Sequence, residues 1–600
     1  MRENRRDLIK AMAVAAVAAP FAARPFAPAQ AAAGAFRRVR PGDTGWPSTA
    51  MWDRLKDQVQ GALLKGERLF APCDQDPTGA ACAEVTANLS NQFYVGDQPG
   101  GTQTSGWLGA WTPQPSAWVV AARTTADVVA AVNFAREHRL RLVVKGAGHS
   151  YQGTSNGPDS LLIWTRHMNA VTVHDRFVPQ GGDPAAAVPA VTAQAGCVWI
   201  DLYDAVTTKA GRYVQGGGCT DVGVAGLVQS GGFGVYSKGF GTAAASLIEA
   251  EIVTADGKAR TVNAHQDPDL YWAIKGGGGG GWGVVTRLTL RTHDLPAFLG
   301  GAHGEIEATS DAAYRRLLAR FLSFYSERLY NPHWGEQAFV GPGNHFRLAM
   351  QCQGLTADEV ASVWKPFFDW VAAAPQDFKI VSRLRTWADP SRNQWNVADN
   401  SDLVRDPRPG APAIRGWFDG DNHECGIFLH GYDSLWLPSS LLGAPALVEA
   451  MFAASRFKML RVFFNKGLAG APADAIAATL DTATNPAVVR AFALVIIADG
   501  EGPRFPGQPG APHDLDAARA DARNIDAATA ALRKIAPRSG SYVSESNYFN
   551  ANWREEFWGG NYARLRAVKA KYDPEGLFFT HHGVGSEDWS ADGFERVARS

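Results

Sequence analysis

The sequence predicts an α+β protein of two lobes, one punctuated by glycine turns and the other an antiparallel sheet covered by helices. Three observations carry this reading. The chain has 600 residues, more than one hydrophobic core usually organises. Between residues 111 and 297 short apolar runs alternate with capped helical patterns and tight glycine turns. From 298 to 539 the glycine runs stop, and Trp334, Trp364, Trp370, Trp387, Trp395, Trp417 and Trp436 stand among alternating strand and helix patterns.

In the first lobe a helix is predicted from Thr125, with a threonine N-cap and apolar Val128, Val129, Val132 and Ala135 at helical spacing. Leu142-Val143-Val144 reads as a short strand feeding directly into a glycine loop. Further strands are predicted over 160–164, 171–174 and 191–195, a helix near Val198, and a hairpin turn at Asp256-Gly257. Residues 32–110 form an N-terminal segment that ends in an extended loop over 96–106. Residues 540–600 return to compact helical sequence, with a helix over 561–572 stopped by Asp573-Pro574. The middle-lobe tryptophans are read as core or interface residues, with a sugar-stacking platform as the alternative.

Charge narrows the function classes. With 58 Lys+Arg against 59 Asp+Glu and 46% hydrophobic residues, neither a nucleic-acid footprint nor a polybasic membrane patch is expected, and the partner is a small molecule. Residues 1–31 read as a leader. Arg5-Arg6 precedes Leu8-Ile9-Lys10 and an apolar stretch over 11–23 too short to span a bilayer, and Ala29-Gln30-Ala31 offers a small-x-small cleavage site. The pattern resembles a twin-arginine signal, which implies export by that machinery to the periplasm or beyond and no stable membrane anchor. Six cysteines occur without any C-x-x-C or zinc spacing, so no metal site is expected. Cys73 and Cys82 are close enough to pair in an oxidising compartment; two buried thiols are the alternative. His581-His582 has no ligand companions nearby in sequence and is read as packing.

Three glycine blocks carry the chemistry. The first follows a strand: Lys145-Gly146-Ala147-Gly148-His149-Ser150-Tyr151-Gln152-Gly153-Thr154, whose backbone N–H groups can converge on an anion such as a pyrophosphate. The second runs Gly216-Gly217-Gly218-Cys219-Thr220-Asp221-Val222-Gly223-Val224-Ala225-Gly226 and continues to Gly231-Gly232-Phe233-Gly234. So many glycines weaken a regular element, so the backbone is expected to lie against something large and flat. The third is six glycines over 276–281, followed by Trp282-Gly283-Val284-Val285.

Together these blocks, with Phe557-Trp558-Gly559-Gly560-Asn561-Tyr562 and Lys571-Tyr572-Asp573-Pro574-Glu575-Gly576-Leu577-Phe578 near the end, resemble the berberine-bridge-enzyme-like branch of the vanillyl-alcohol-oxidase flavoproteins. The resemblance covers 111–297 and 540–586 well and the middle only in outline. It implies a PCMH-type FAD-binding domain over 111–297, completed by 540–600, with an inserted substrate domain over 298–539. It implies FAD held twice, by His149 through its ring nitrogen and by Cys219 at flavin C6. Lys145 to Ser150 would cradle the diphosphate, and Gly153, Thr154, Gly218, Val222, Gly223, Gly226, Gly232, Gly234, Val253 and Asn561 would complete the cofactor's surroundings. A non-covalent contact at His149 and simple packing at Cys219 are the alternatives.

Two departures from the family pattern bear on mechanism. Leu227 stands where many relatives place a histidine. The segment Tyr542-Val543-Ser544-Glu545-Ser546-Asn547-Tyr548 puts Glu545 at the position of a tyrosine base, where a carboxylate beside an apolar flavin face would have its pKa raised. Tyr542 and Tyr548 are rival bases, and a salt bridge from an arginine to Glu545 is the structural alternative. Val222, small and three residues after Cys219, matches a gate residue of oxygen-using relatives. The resemblance thus implies an oxidase acting on a sugar, an aromatic alcohol or a secondary metabolite, with dioxygen as acceptor. The rivals are a dehydrogenase using a quinone or protein acceptor, and a flavin-loaded carrier without turnover.

Overall fold

The computed structural model describes residues 36–422, 424–505, 508 and 513–597; the predicted leader lies outside these residues. Its first sheet is assembled from short, apolar runs. Trp118–Ala121, Ser160–Trp164 and Arg141–Lys145 pair in parallel, and Ala62–Lys65 adds antiparallel at the outer edge. Every residue of Ser160–Trp164 is buried, as parallel strands covered on both faces require. The helix Thr125–Glu137 packs on this sheet through Val128, Ala131, Val132 and Ala135. Thr124 caps it, and Asp127 completes a capping box.

The second sheet is antiparallel, in the order Ala259–Asn263, Leu247–Val253, Val284–Asp294, Val188–Gln194, Val171–Phe177. The predicted hairpin at Asp256-Gly257 joins its first two strands, and the predicted helix near Val198 is Trp199–Tyr203. The three glycine blocks leave the ends of these elements: after Arg141–Lys145, after Arg212–Val214, and between the helix Pro268–Ile274 and the strand Val284–Asp294.

An eight-stranded sheet forms the other lobe. Its inner strands, among them Trp334–Val340, His345–Gln353, Leu460–Phe463 and Ala491–Glu501, are antiparallel. Side chains alternate across it with the two-residue period of a sheet. Ala338, Val340, Leu348 and Val462 point into a core under the helices Asp311–Phe324, Ala357–Ala372, Pro445–Ser455 and Leu515–Arg533. The opposite face is left for the site. Trp334, Trp364 and Trp436 are fully buried, so these tryptophans serve as core.

The N-terminal segment 32–110 is not a module of its own. Ala62–Lys65 belongs to the first sheet, whereas Thr104–Trp107 adds in parallel to Ile427–Pro438 at the edge of the eight-stranded sheet. The loop expected over 96–106 therefore ends in a strand, because Gly106 at φ +138° lets the backbone pass Phe428 closely. Chain ends meet: Arg37 bridges Glu595, Phe578 bridges Leu142, and the buried Arg38 donates to the carbonyls of Gly593 and Gly576 while lying over Trp589. Cys73 and Cys82 are disulfide-bonded. Among the described residues, no helix is long and apolar enough to cross a membrane.

Asp127 ties the first sheet to its helix. Fully buried, its carboxylate accepts from the amides of Gln60 (2.8 Å), Arg123 (2.9 Å) and Thr124 (3.1 Å). Asp127→Ala leaves these donors unmatched and is expected to cost about 2–3 kcal/mol, seen as a thermal midpoint about 2 °C lower; an unchanged midpoint contradicts this role.

Candidate active site

The glycine blocks converge on one cavity of about 1460 Å³ between the first two sheets and the open face of the eight-stranded sheet. Lys145, Gly146, Ala147, Gly148, His149, Ser150, Gly153 and Thr154 border it from the first block, and Gly218, Cys219, Val222, Gly223, Gly226 and Gly234 from the second. Gly278, Gly279 and Gly280 border it from the third, and Tyr542, Glu545 and Tyr548 from the C-terminal segment. Three expected cofactor residues stand off its wall. Gly232 sits against Leu227 and Ala243, Val253 is buried between Val284 and Ala259 in the second sheet, and Asn561 donates to the carbonyls of Ala483 and Thr484. These three support the wall from behind.

What the wall leaves free defines the occupant. A Cβ at Gly226 would meet no protein atom within 4 Å, and at Gly218 and Gly279 nothing nearer than 3.9 and 3.8 Å. Protein packing therefore does not demand glycine there; an extended, flat group laid against the backbone does. At Gly148, by contrast, the backbone itself demands glycine, with φ +88°.

The side chain of Lys145 serves the fold. Its Nζ is buried and donates to the carbonyls of Gln98 (2.9 Å), Pro99 (2.6 Å) and Gly101 (3.0 Å), and burial, with Arg166 nearby, pushes its pKa down to about 7. All three ammonium protons are committed to tying down the N-terminal segment, so a phosphate contact at Lys145 falls to the backbone.

His149 and Cys219 meet through Asp221. His149 Nε2 lies 2.5 Å from Asp221 Oδ2, and its Nδ1 makes no hydrogen bond to the described residues. Asp221 is almost fully buried, and its Oδ1 has no hydrogen-bond partner among the described residues, an orphaned acceptor beside the cavity. Cys219 Sγ donates to Glu424 Oε2 at 3.6 Å. Burial, reinforced by Asp421, Glu424 and Asp221, raises the Cys219 pKa well above that of an ordinary thiol. Asp421 is raised likewise, by burial and the same carboxylates. This end of the cavity is acidic.

On the C-terminal segment that borders the cavity, Glu545 is held by Lys466, whose Nζ donates to both carboxylate oxygens at 2.6 and 2.7 Å. The lone carboxylate expected on an apolar face is thus half of an ion pair, and its partner is a lysine rather than an arginine. Lys466 is itself fixed, because the Trp436 indole donates to its carbonyl at 2.7 Å. The rival tyrosines are less suited to accept a proton. Burial raises the pKa of both. The Tyr542 hydroxyl accepts from the Gly232 amide, and the Tyr548 ring stacks on His581 at 3.8 Å. His581 continues onto His582 at 3.9 Å, so this pair packs, as read from the sequence.

Glu336 was not legible beforehand. It borders the cavity from Trp334–Val340 with φ +59°, a strained backbone for a non-glycine residue, and accepts from Asn465 Nδ2 at 3.0 Å. Burial, opposed by Lys466 and reinforced by Glu545 and Glu424, raises its pKa to about 7. Leu227 borders the cavity without offering a donor.

Comparison with known proteins matches this geometry. Residues 116–263 match the FAD binding domain family and residues 524–585 the berberine and berberine-like family. The chain is 30% identical to the FAD-linked oxidoreductase malF of Malbranchea aurantiaca, over 93% of each chain. It belongs to the VAO-type, berberine-like FAD-linked oxidoreductases. It is also 29% identical to the VAO-type flavoprotein oxidase VAO615 of Thermothelomyces thermophilus, over 94% of this chain and 95% of the relative. The crystal structure of MtVAO615 from Myceliophthora thermophila superposes with a TM-score of 0.76 at 25% identity, covering 94% of this chain and all of that one. The glucooligosaccharide oxidase of Acremonium strictum shares the fold, with a TM-score of 0.61 at 19% identity over 82% of this chain and 95% of that one. FAD is therefore the group the glycine walls of this oxidoreductase are shaped to hold.

Glu336 has a pH signature. Its carboxyl titrates at 4.5 ordinarily and at about 7 in the fold, so the native state holds the proton longer than the unfolded chain. Native stability therefore falls as pH rises between these values. Glu336→Gln removes that loss, and thermal melts of the variant are expected to gain on wild type from about pH 5 to about pH 8. A difference in melting temperature that does not change with pH contradicts the assignment.

Proposed function

We propose that this oxidoreductase is an oxidase of alcohol-type small molecules, holding FAD through both His149 and Cys219 and passing electrons to dioxygen to give hydrogen peroxide. One observation carries the reading: a fixed carboxylate, Glu545, borders the same cavity as the glycine cradle. FAD, when bound, supplies a two-electron acceptor for the hydride of a carbinol carbon. The protein must then take the hydroxyl proton. Glu545 is the acceptor, and Lys466 orients it and balances its charge. Substrate occupies the cavity beside Glu545, where Tyr151 and Tyr432, packed on each other with ring centroids 5.0 Å apart, form an aromatic wall. These aromatic walls, and sugar oxidases among the fold relatives, favour a sugar or an aromatic alcohol.

The double tether rests on the chemistry of the two residues. Asp221 holds one nitrogen of His149 and leaves Nδ1 toward a partner; Glu424 is placed to take the thiol proton of Cys219, which burial otherwise keeps protonated. The Acremonium strictum enzyme is described with a 6-S-cysteinyl, 8α-N1-histidyl FAD. Val222, small and on the wall, supports dioxygen as acceptor over a quinone or protein. The reading includes export, supported by the Arg5-Arg6 pattern of the leader and by the Cys73–Cys82 disulfide.

The test is anaerobic mixing of the purified protein with panels of sugars and aromatic alcohols, followed by readmission of air. Bleaching of the flavin band and recovery in air with one peroxide per substrate are expected. Bleaching without recovery would make the protein a dehydrogenase, and no bleaching by any alcohol would favour the carrier reading. With the bleaching substrate, Glu545→Gln is expected to slow the step by about 10²-fold or more while substrate affinity stays within a few-fold. An unchanged rate would remove Glu545 from the proton-accepting role.

A further inference from the structure

The open face of the eight-stranded sheet carries a charge arrangement that hydride removal does not use. Phe339 on Trp334–Val340 registers with Arg347 on His345–Gln353 and with Arg461 on Leu460–Phe463. Side chains directly opposite on neighbouring strands share a face. Ala338 and Val340, one step either way, point into the helix-covered core, so the row Arg347–Phe339–Arg461 points into the cavity, which all three residues border. The Arg347 guanidinium lies 3.6 Å over the Phe339 ring.

Neither arginine has a hydrogen-bond or ion-pair partner among the described residues, a property they share on this wall with Arg141, whereas several other charged groups there are paired. Lys466 is held by Glu545, Lys145 by three carbonyls, Asp499 by Lys458 and Asp592 by Arg40. Glu305, registered with Arg347 on the outer neighbouring strand, acts on it electrostatically from beyond ion-pair distance. Two guanidinium groups, one braced on an aromatic ring, thus present free donor forks to the space where substrate sits. Guanidinium matches the planar, two-oxygen geometry of a carboxylate. The acidic groups Asp221, Asp421 and Glu424 gather around Cys219, at the cradle end.

We propose that the substrate is a carboxylate-bearing alcohol, its acid group bound by Arg347 and Arg461 on the sheet and its hydroxyl directed toward Glu545. The proposal rests on the reading of this cavity as the substrate cavity. It names an acid function common to uronic-acid-terminated sugars and to aromatic hydroxy-acids, and the experiment separates the two.

The experiment measures dissociation constants on the holoenzyme, anaerobically, by perturbation of the flavin spectrum, for two matched pairs: 4-(hydroxymethyl)benzoate with its methyl ester, and cellobiouronic acid with cellobiose. The acid of at least one pair is expected to bind about tenfold or more tightly than its neutral partner. The preferring pair identifies the source as aromatic or sugar. Added salt is expected to narrow the gap, and Arg347→Met with Arg461→Met to abolish it without changing the neutral partner's affinity. Lys substitutions are expected to restore part of it. Equal affinities within both pairs, including no binding by either member, overturn the proposal, as does a preference that survives in the double Met variant. Acid-selective binding without bleaching would uphold the arginine site and refute the oxidation reading; bleaching without acid preference would do the reverse.

Discussion

A flat cofactor laid directly on polypeptide backbone is the constraint from which the rest of this molecule follows. Side chains at Gly218, Gly226 and Gly279 would project into that layer with no more than ordinary contact with protein, so their absence serves the occupant and not the fold. Glycine-rich backbone is poorly held by itself, and the surroundings compensate. The first block leaves a parallel strand that is buried on both sides, and Lys145 pins the adjoining N-terminal segment through three carbonyls. Trp199 packs on Gly216, and Trp558 donates to the carbonyl of Gly276. Cofactor chemistry thus rests on backbone fixed from behind.

The two sides of the cavity divide the work. The cradle side supplies backbone and a small set of reactive groups, His149 steadied by Asp221 and Cys219 beside Glu424. The sheet side supplies charged and aromatic side chains at defined registers, and the short turn Phe464–Lys466 that leaves its strand Leu460–Phe463 brings Lys466 to Glu545, which arrives from a different part of the chain. Acidic groups gather around Cys219 and reach the sheet through Glu336, so the wall carries both signs of charge. The N-terminal segment crosses between both sheet systems, so the cavity's sides are joined by chain as well as by packing.

Much of the cradle was legible in the sequence because glycine blocks announce backbone demands locally. The strand ahead of Gly146 and the helix after Thr124 follow from apolar spacing and capping, which need no distant partner. What was not legible depends on long-range register. Glu336, Lys466, Arg347 and Arg461 come from the middle lobe, where strand pairing decides which side chain reaches the cavity, and no motif marks them. Glu545 was placed by its segment, but its lysine partner lies 79 residues away, so the expected lone carboxylate became an ion pair. Val253 and Asn561 behave as supports because a residue one layer behind the wall carries the same local pattern as one upon it. The N-terminal segment was read as a single loop-ended piece because its strand pairs with residues more than three hundred positions later.

The most direct test of the central claim is acid precipitation of the purified full-length protein, followed by mass mapping of its peptides. A yellow pellet, with one flavin joined to both the His149 and the Cys219 peptides, is the predicted result. A colourless pellet with all FAD released to the supernatant would contradict the tether and leave the glycine walls holding a dissociable cofactor.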